Sequence, residues 1–139
     1  MRLSRREVLA VGVGGVALTL IAPGAHASEL DDVVAKFTGG AAVGSGGVTV
    51  TAPEIAENGN TVPVTVEAPG AVAILLLAPS NPTPAVCTFT FGPAAGSQKA
   101  ATRIRLAKTQ DVTAIAKMAD GKFVKAVATV KVTVGGCGG

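Results

Sequence analysis

Seven short runs of alternating or continuously apolar residues, separated by glycine, proline and asparagine, fill residues 48–134 of this 139-residue chain. The last run is the clearest. Val124, Ala126, Ala128, Val130, Val132 and Val134 occupy every second position, with Lys125, Thr129, Lys131 and Thr133 among them. Successive side chains of an extended strand point to opposite faces, so a period of two predicts a strand with one apolar face. Val48 and Val50, then Val62, Val64 and Val66, then Val112, Ala114, Ala116 and Met118 repeat the pattern. Ala85, Cys87, Phe89 and Phe91 share one face, and Ile104 and Leu106 alternate with Arg103 and Arg105. Val72 to Ala78 is apolar throughout, which predicts a central strand buried on both sides. Asn58-Gly59, Asn81-Pro82-Thr83-Pro84, Gly92-Pro93 and Asp120-Gly121 supply the turns, the last as a primed hairpin turn. Such strands at regular spacing predict an all-β protein, an immunoglobulin-like antiparallel β-sandwich, with a small closed barrel as the competing architecture. The chain has no Trp, so the buried Cys–Trp–Cys signature of antibody domains is absent and the expectation concerns architecture alone.

Upstream of the strands the pattern changes. Leu30, Val33, Val34 and Phe37 recur at helical spacing, Ser28 and Asp31 resemble a helix start, and Gly39-Gly40 ends the segment. A short helix is predicted over about 29–38, followed by a glycine-rich connection to residue 47. Before it, Arg2, Arg5 and Arg6 precede an apolar run, Val8 to Ala22, that is shorter than the roughly 20 residues of a membrane helix. Ala25-His26-Ala27 has the small-x-small form of a cleavage site, predicting Ser28 as the first mature residue. Ser4-Arg5-Arg6-Glu7-Val8-Leu9 is similar to a twin-arginine export signal, with an ordinary secretory signal as the alternative. The expectation is export to the periplasm without a stable membrane anchor. Removal of residues 1–27 leaves nine basic and eight acidic residues, a net charge of +1. No basic patch interleaved with aromatics remains, which argues against nucleic acid as a partner.

The same cleavage takes away His26, the only histidine. Cys–His and Ser–His nucleophile pairs are then excluded within the chain. Glu54, Glu57 and Glu67 show no metal-ligand spacing, and the first two are expected to cap or solvate the Pro53–Gly59 turn. Gly44-Ser45-Gly46-Gly47 precedes no helix and reads as linker, not as a phosphate cradle. No catalytic residue, metal site or bound cofactor is expected. Chemistry concentrates at the end, Gly135-Gly136-Cys137-Gly138-Gly139, where one thiol stands among residues without side chains. Gly135, Gly136, Gly138 and Gly139 would make this a flexible arm, suited to a group that is handed around and ill suited to fixed catalytic geometry. Three readings stay open from the residues alone: a carrier or redox thiol, a structural intermolecular disulfide, or an incidental cysteine. Cys87, on the face of Phe89 and Phe91, is expected to be a small buried core residue, with a Cys87–Cys137 disulfide as the alternative.

Several segments together are more specific. Pro53-Glu54-Ile55-Ala56-Glu57-Asn58-Gly59-Asn60-Thr61-Val62-Pro63-Val64 resembles a segment of the SoxY family, the Y subunits of the Sox sulfur carrier. Phe91-Gly92-Pro93-Ala94-Ala95-Gly96, Thr102 to Gln110, Met118-Ala119-Asp120-Gly121 and Val130 to Val134 with the glycine-flanked cysteine resemble it too, in the same order. The resemblance implies a carrier subunit of periplasmic thiosulfate oxidation, not an enzyme, with sulfur intermediates held covalently on Cys137. It also implies a heterodimer with a SoxZ-like β-sandwich subunit, and processing by a haem-containing SoxAX enzyme, by the hydrolase SoxB and by a sulfane dehydrogenase. Cys87 is not part of the family pattern. The expected organisation is therefore a signal peptide over 1–27, a helix and linker over 28–47, a β-sandwich carrier domain over 48–134 and a carrier arm over 135–139. A disulfide-linked structural sandwich is the alternative. A carrier activated at its diglycine end, Gly138-Gly139, competes less well, because acyl activation needs ATP, which an exported protein would not meet.

Overall fold

The structure, a computed structural model, describes residues 25–135, with side chains from Glu29 onward. Nearly all of the predicted leader and the residues Gly136, Cys137, Gly138 and Gly139 lie outside them. One helix, α1 (Ala25–Thr38), precedes nine strands: β1 (Val43–Ser45), β2 (Thr49–Thr51), β3 (Ile55–Ala56), β4 (Val62–Glu67), β5 (Ala71–Leu77), β6 (Ala85–Thr90), β7 (Lys99–Ile104), β8 (Gln110–Met118) and β9 (Phe123–Val132). They form two sheets. The larger runs β1-β9-β8-β5-β6, with β3 also on β9, and the smaller runs β2-β4-β7. The expected two-sheet sandwich is what forms.

Alternation decides which side chains meet between the sheets. Val62, Val64 and Val66 of β4 face Ile74 and Leu76 of β5 and Val112, Ala114 and Ala116 of β8 across one core. Val130 of β9 joins them with no exposed surface. β5 is covered on both sides from Ile74 to Leu77, as its apolar run predicts, while Val72 near its start is exposed. Leu75 and Leu77, with Ile115 and Phe123, lie on the outer side beneath Leu30, Val33, Val34 and Phe37 of α1. Phe37 and Phe123 meet edge to face, with ring centroids 5.8 Å apart. Fully burying one such side chain is worth roughly 1.5–3 kcal/mol, so α1 is a third layer of the fold and its apolar face is already occupied. The helix begins at Ala25, inside the segment expected to be leader, and not at about residue 29. Alanine has the highest helix propensity, which favours extending the helix through Ala25 and Ala27. Its far end is closed as expected. Gly39 and Gly40 take positive φ, and the Thr38 hydroxyl donates back to the Val34 carbonyl at 2.9 Å.

Three local expectations are corrected. Residues 43–45 and 55–56, read as linker and turn, are short strands that both run parallel to β9, so the sandwich is not wholly antiparallel. Gly46 and Gly47, both at positive φ, turn the chain from one sheet to the other between β1 and β2. The Asp120-Gly121 turn is not of the primed kind. Only Gly121 has positive φ, and Met118 N–H bonds the Lys122 carbonyl, which is a three-residue loop with a glycine bulge.

Candidate functional site

The strand that leads to the terminal cysteine, β9, is the most heavily tied strand end in the molecule. β8 pairs along one edge through Gln110↔Val130, while β3 takes the other edge through Ile55↔Lys131 and Ala56↔Val132. The bonds past the ladder are the informative ones. Lys131 N–H donates to the Glu54 carbonyl at 2.9 Å and Thr133 N–H to the Ala56 carbonyl at 3.1 Å. The Thr133 hydroxyl donates to the Glu57 carbonyl at 2.9 Å. Val132 N–H donates to the Thr109 hydroxyl at 2.9 Å. Gly59 N–H donates to the Val134 carbonyl at 2.7 Å, and Leu106 N–H donates to the Gly59 carbonyl at 2.8 Å. Two loops, residues 57–61 and 105–109, thus form a collar around residues 132–135.

Gly135 is the tightest point of this collar. A Cβ built there would run into the carbonyl oxygen of Ala107. Gly135 was expected to lend reach to the arm. The structure adds a second requirement, that nothing larger than hydrogen fits between it and Ala107. Glu54 and Glu57 solvate their turn, one of the two roles expected of them, and add a backbone role. Their carbonyls, and not their carboxylates, bind the strand, and both side chains are exposed. Gly59, Ala107, Thr109 and Thr133 escaped the sequence reading. The available signal was the family likeness of the segments Pro53–Val64, Thr102–Gln110 and Val130–Val134, which marked them without saying what they touch.

Cys87 sits on β6, the edge strand of the larger sheet, facing the core beside Phe89 and Phe91. The edge leaves it half-buried instead of fully buried. Burial pushes its thiol pKa above the ordinary value. Register shows how far it is from the collar. Cys87 pairs Leu76, Leu76 pairs Ala114 and Ala114 pairs Ala126, so Cys87 is three strand spacings from β9, about 14 Å. Val132 lies six residues further along β9, about 20 Å. Cys137 is two residues past Gly135, a span of at most about 7 Å. A disulfide needs Cα atoms within about 7 Å. Cys87 is therefore remote from Val132 along the larger sheet, and the alternative of a Cys87–Cys137 bridge falls on a residue outside the described ones. The two thiols are expected to react differently. Under limiting iodoacetamide at neutral pH, peptide mapping should find Cys137 alkylated first, with Cys87 catching up as pH rises. Equal early labelling would contradict the burial of Cys87.

Among the described residues no group of three His, Cys, Asp or Glu side chains converges to hold a metal ion. No helix among them is long and apolar enough to cross a membrane.

Comparison with known proteins matches residues 34–137 to a family described as "Sulfur oxidation protein SoxY", a match that extends to Cys137. The sulfur carrier protein SoxY from Chlorobium limicola f thiosulfatophilum is 39% identical, over 78% of this chain and 99% of that one, with a TM-score of 0.67. Superoxide reductase (neelaredoxin) from Ignicoccus hospitalis is 18% identical, over 63% of this chain and 81% of that one, with a TM-score of 0.55, a likeness of fold alone. So is that to hypothetical protein PH1083 from Pyrococcus horikoshii OT3, at 14% identity over 69% and 98% of the two chains and a TM-score of 0.53. Comparison with curated proteins returned no match.

Proposed function

The chain belongs to the SoxY family of sulfur carrier proteins, and from that membership we propose that it holds sulfur intermediates covalently on Cys137 while partner enzymes act on them. The observation that carries the reading is the family match, which extends over the collared strand end to Cys137. The collar holds residues 132–135, and the one terminal thiol follows two residues later, inside the family match. The sandwich then serves as handle and recognition surface.

The chemistry is reversible sulfur–sulfur bonding. Conjugation joins the Cys137 thiolate to the outer sulfur of thiosulfate, and the two electrons released pass to a haem enzyme of the SoxAX kind. Hydrolysis by a SoxB-like enzyme breaks the bond to the sulfonate. The oxygen of water leaves within sulfate, and a persulfide stays on Cys137. A sulfane dehydrogenase would oxidise that remaining sulfur. Each step begins or ends at a thiolate or persulfide, the species that carry thiol–disulfide exchange. A SoxZ-like subunit is the proposed heterodimer partner, and the periplasm, reached by the twin-arginine route, the proposed compartment.

Intact-mass spectra test this. Mature protein from cells oxidising thiosulfate should show reductant-sensitive adducts of thiosulfate or polysulfur mass, mapping to the C-terminal peptide. Spectra unchanged by reductant, or adducts mapping to Cys87, would overturn it.

A further inference from the structure

Two buried amide side chains remain unaccounted for by the sandwich itself. Asn81 is 9% exposed and Gln110 6%. They bond each other, Gln110 Nε2 donating to Asn81 Oδ1 at 2.9 Å. Most of their other partners lie in the loop between β7 and β8, and one, Ser80, lies beside Asn81 in the loop between β5 and β6. Asn81 Nδ2 donates to the Arg105 carbonyl at 2.7 Å, and Ala107 N–H donates to Asn81 Oδ1 at 2.9 Å. Gln110 Nε2 also donates to the Lys108 carbonyl at 3.1 Å, and Ser80 N–H donates to Gln110 Oε1 at 2.9 Å. The loop between β7 and β8 is therefore gripped at Arg105, Ala107 and Lys108, on and around the residue whose carbonyl abuts Gly135. Asn81 is itself tied by its N–H to the Ala78 carbonyl, just past β5. Buried amides left unpaired are costly, so this pair keeps its loop in one place.

We propose that Asn81 and Gln110 are positioning residues for the strand end that precedes Cys137: their buried bridge sets where Ala107 and Thr109 stand, and so where Gly135 is held. The contacts close a ring. Leu106 N–H bonds Gly59, Gly59 N–H bonds Val134, and Gly135 rests on Ala107. Cys137 follows two residues after that ring, a span of at most about 7 Å, so a shift of Gly135 by one or two ångströms is large on that scale. Enzymes that process cargo depend on placement of this order. The inference takes its functional meaning from the carrier reading but not its geometry, so the test reads geometry directly.

Amide hydrogen exchange on the full mature chain compares Gln110→Met, which keeps bulk and removes the bonds, with Val66→Ala, a core variant in the other sheet. At matched global stability, exchange at Gly59 and Thr133 in Gln110→Met should rise about tenfold more than at Leu76 and Ala114. Val66→Ala should show no such contrast. If Gln110→Met does not fold, Asn81→Asp, which keeps the acceptor and loses the donor to Arg105, provides the same comparison. Uniform acceleration across the sheet, or none at the collar, overturns the proposal by reducing the bridge to general stability. Absence of sulfur adducts on Cys137 would instead overturn the carrier reading and leave this contrast standing.

Discussion

A Cys137→Ser variant is expected to fold as the parent does and to carry nothing. Serine preserves size and removes the only atom able to form a sulfur–sulfur bond at that position. A serine hydroxyl without a base beside it is a poor nucleophile, and the chain's single histidine, His26, lies in the segment proposed to be removed as leader. The described anchoring contacts of the last strand end at Gly135, two residues earlier. Stability should therefore change by less than about 0.5 kcal/mol, as for substitutions remote from packing and buried hydrogen bonds. The measurements are a denaturant melt, an intact-mass spectrum after loading, and turnover in a reconstituted sulfur-oxidising system. Loss of the adduct and of all turnover, with the melt unchanged, is the expected set. Residual turnover would show that the cargo is held elsewhere. Cys87→Ala is the matched control and should retain both adduct and turnover, because the half-buried thiol sits on β6, three strand spacings from β9 by register.

How far the sequence led depends on whether the deciding contact is local. The alternation of Val124 to Val132 and the unbroken Val72–Ala78 run announced strands, because strand character is written into side-chain order. The helix face of Leu30, Val33, Val34 and Phe37 was legible for the same reason, but not that Leu75, Leu77, Ile115 and Phe123 would cover it. Ile55–Ala56 is too short to show a period, and its pairing with Lys131 and Val132 spans 76 residues. Asn58-Gly59 read as a turn. Its hold on Val134 depends on a partner far along the chain. Asn81 lay in a proline-rich loop and Gln110 inside a family-like segment, and nothing local says that their amides meet. Polar pairs of this kind carry no periodicity. Cys137 was the reverse case, plain from the sequence and outside the described residues, while the structure describes the strand end as far as Gly135.

Gly135→Ala should do more damage than alanine at Gly44, Gly92 or Gly96, which also lack positive φ. The added methyl meets a backbone carbonyl, the Ala107 oxygen, which has no rotamer to move. That carbonyl has little room to retreat. Ala107 N–H is held by Asn81 and the preceding Leu106 N–H by Gly59. The strand end must give way instead, at the expense of the 2.7 Å bond from Gly59 to Val134. Overpacking of this sort costs about 1–3 kcal/mol. Gly92 and Gly96 provide the contrast, since nothing lies within 4 Å of a Cβ there and neither has positive φ. Alanine at those positions should be neutral or stabilising by up to about 1 kcal/mol, because it restricts the unfolded chain. Urea unfolding of the three variants reads the sign directly, and exchange at Gly59 locates the damage. Gly135→Ala should lower stability, unprotect Gly59 and slow cargo processing while Cys137 still loads. A variant as stable as the parent, with Gly59 still protected, would mean that Ala107 yields and that the collar does not govern the exit. The expected result separates two demands on the terminal glycines. Gly135 is needed for close approach to Ala107, a constraint of the body that would hold even if the residues beyond it carried no cargo.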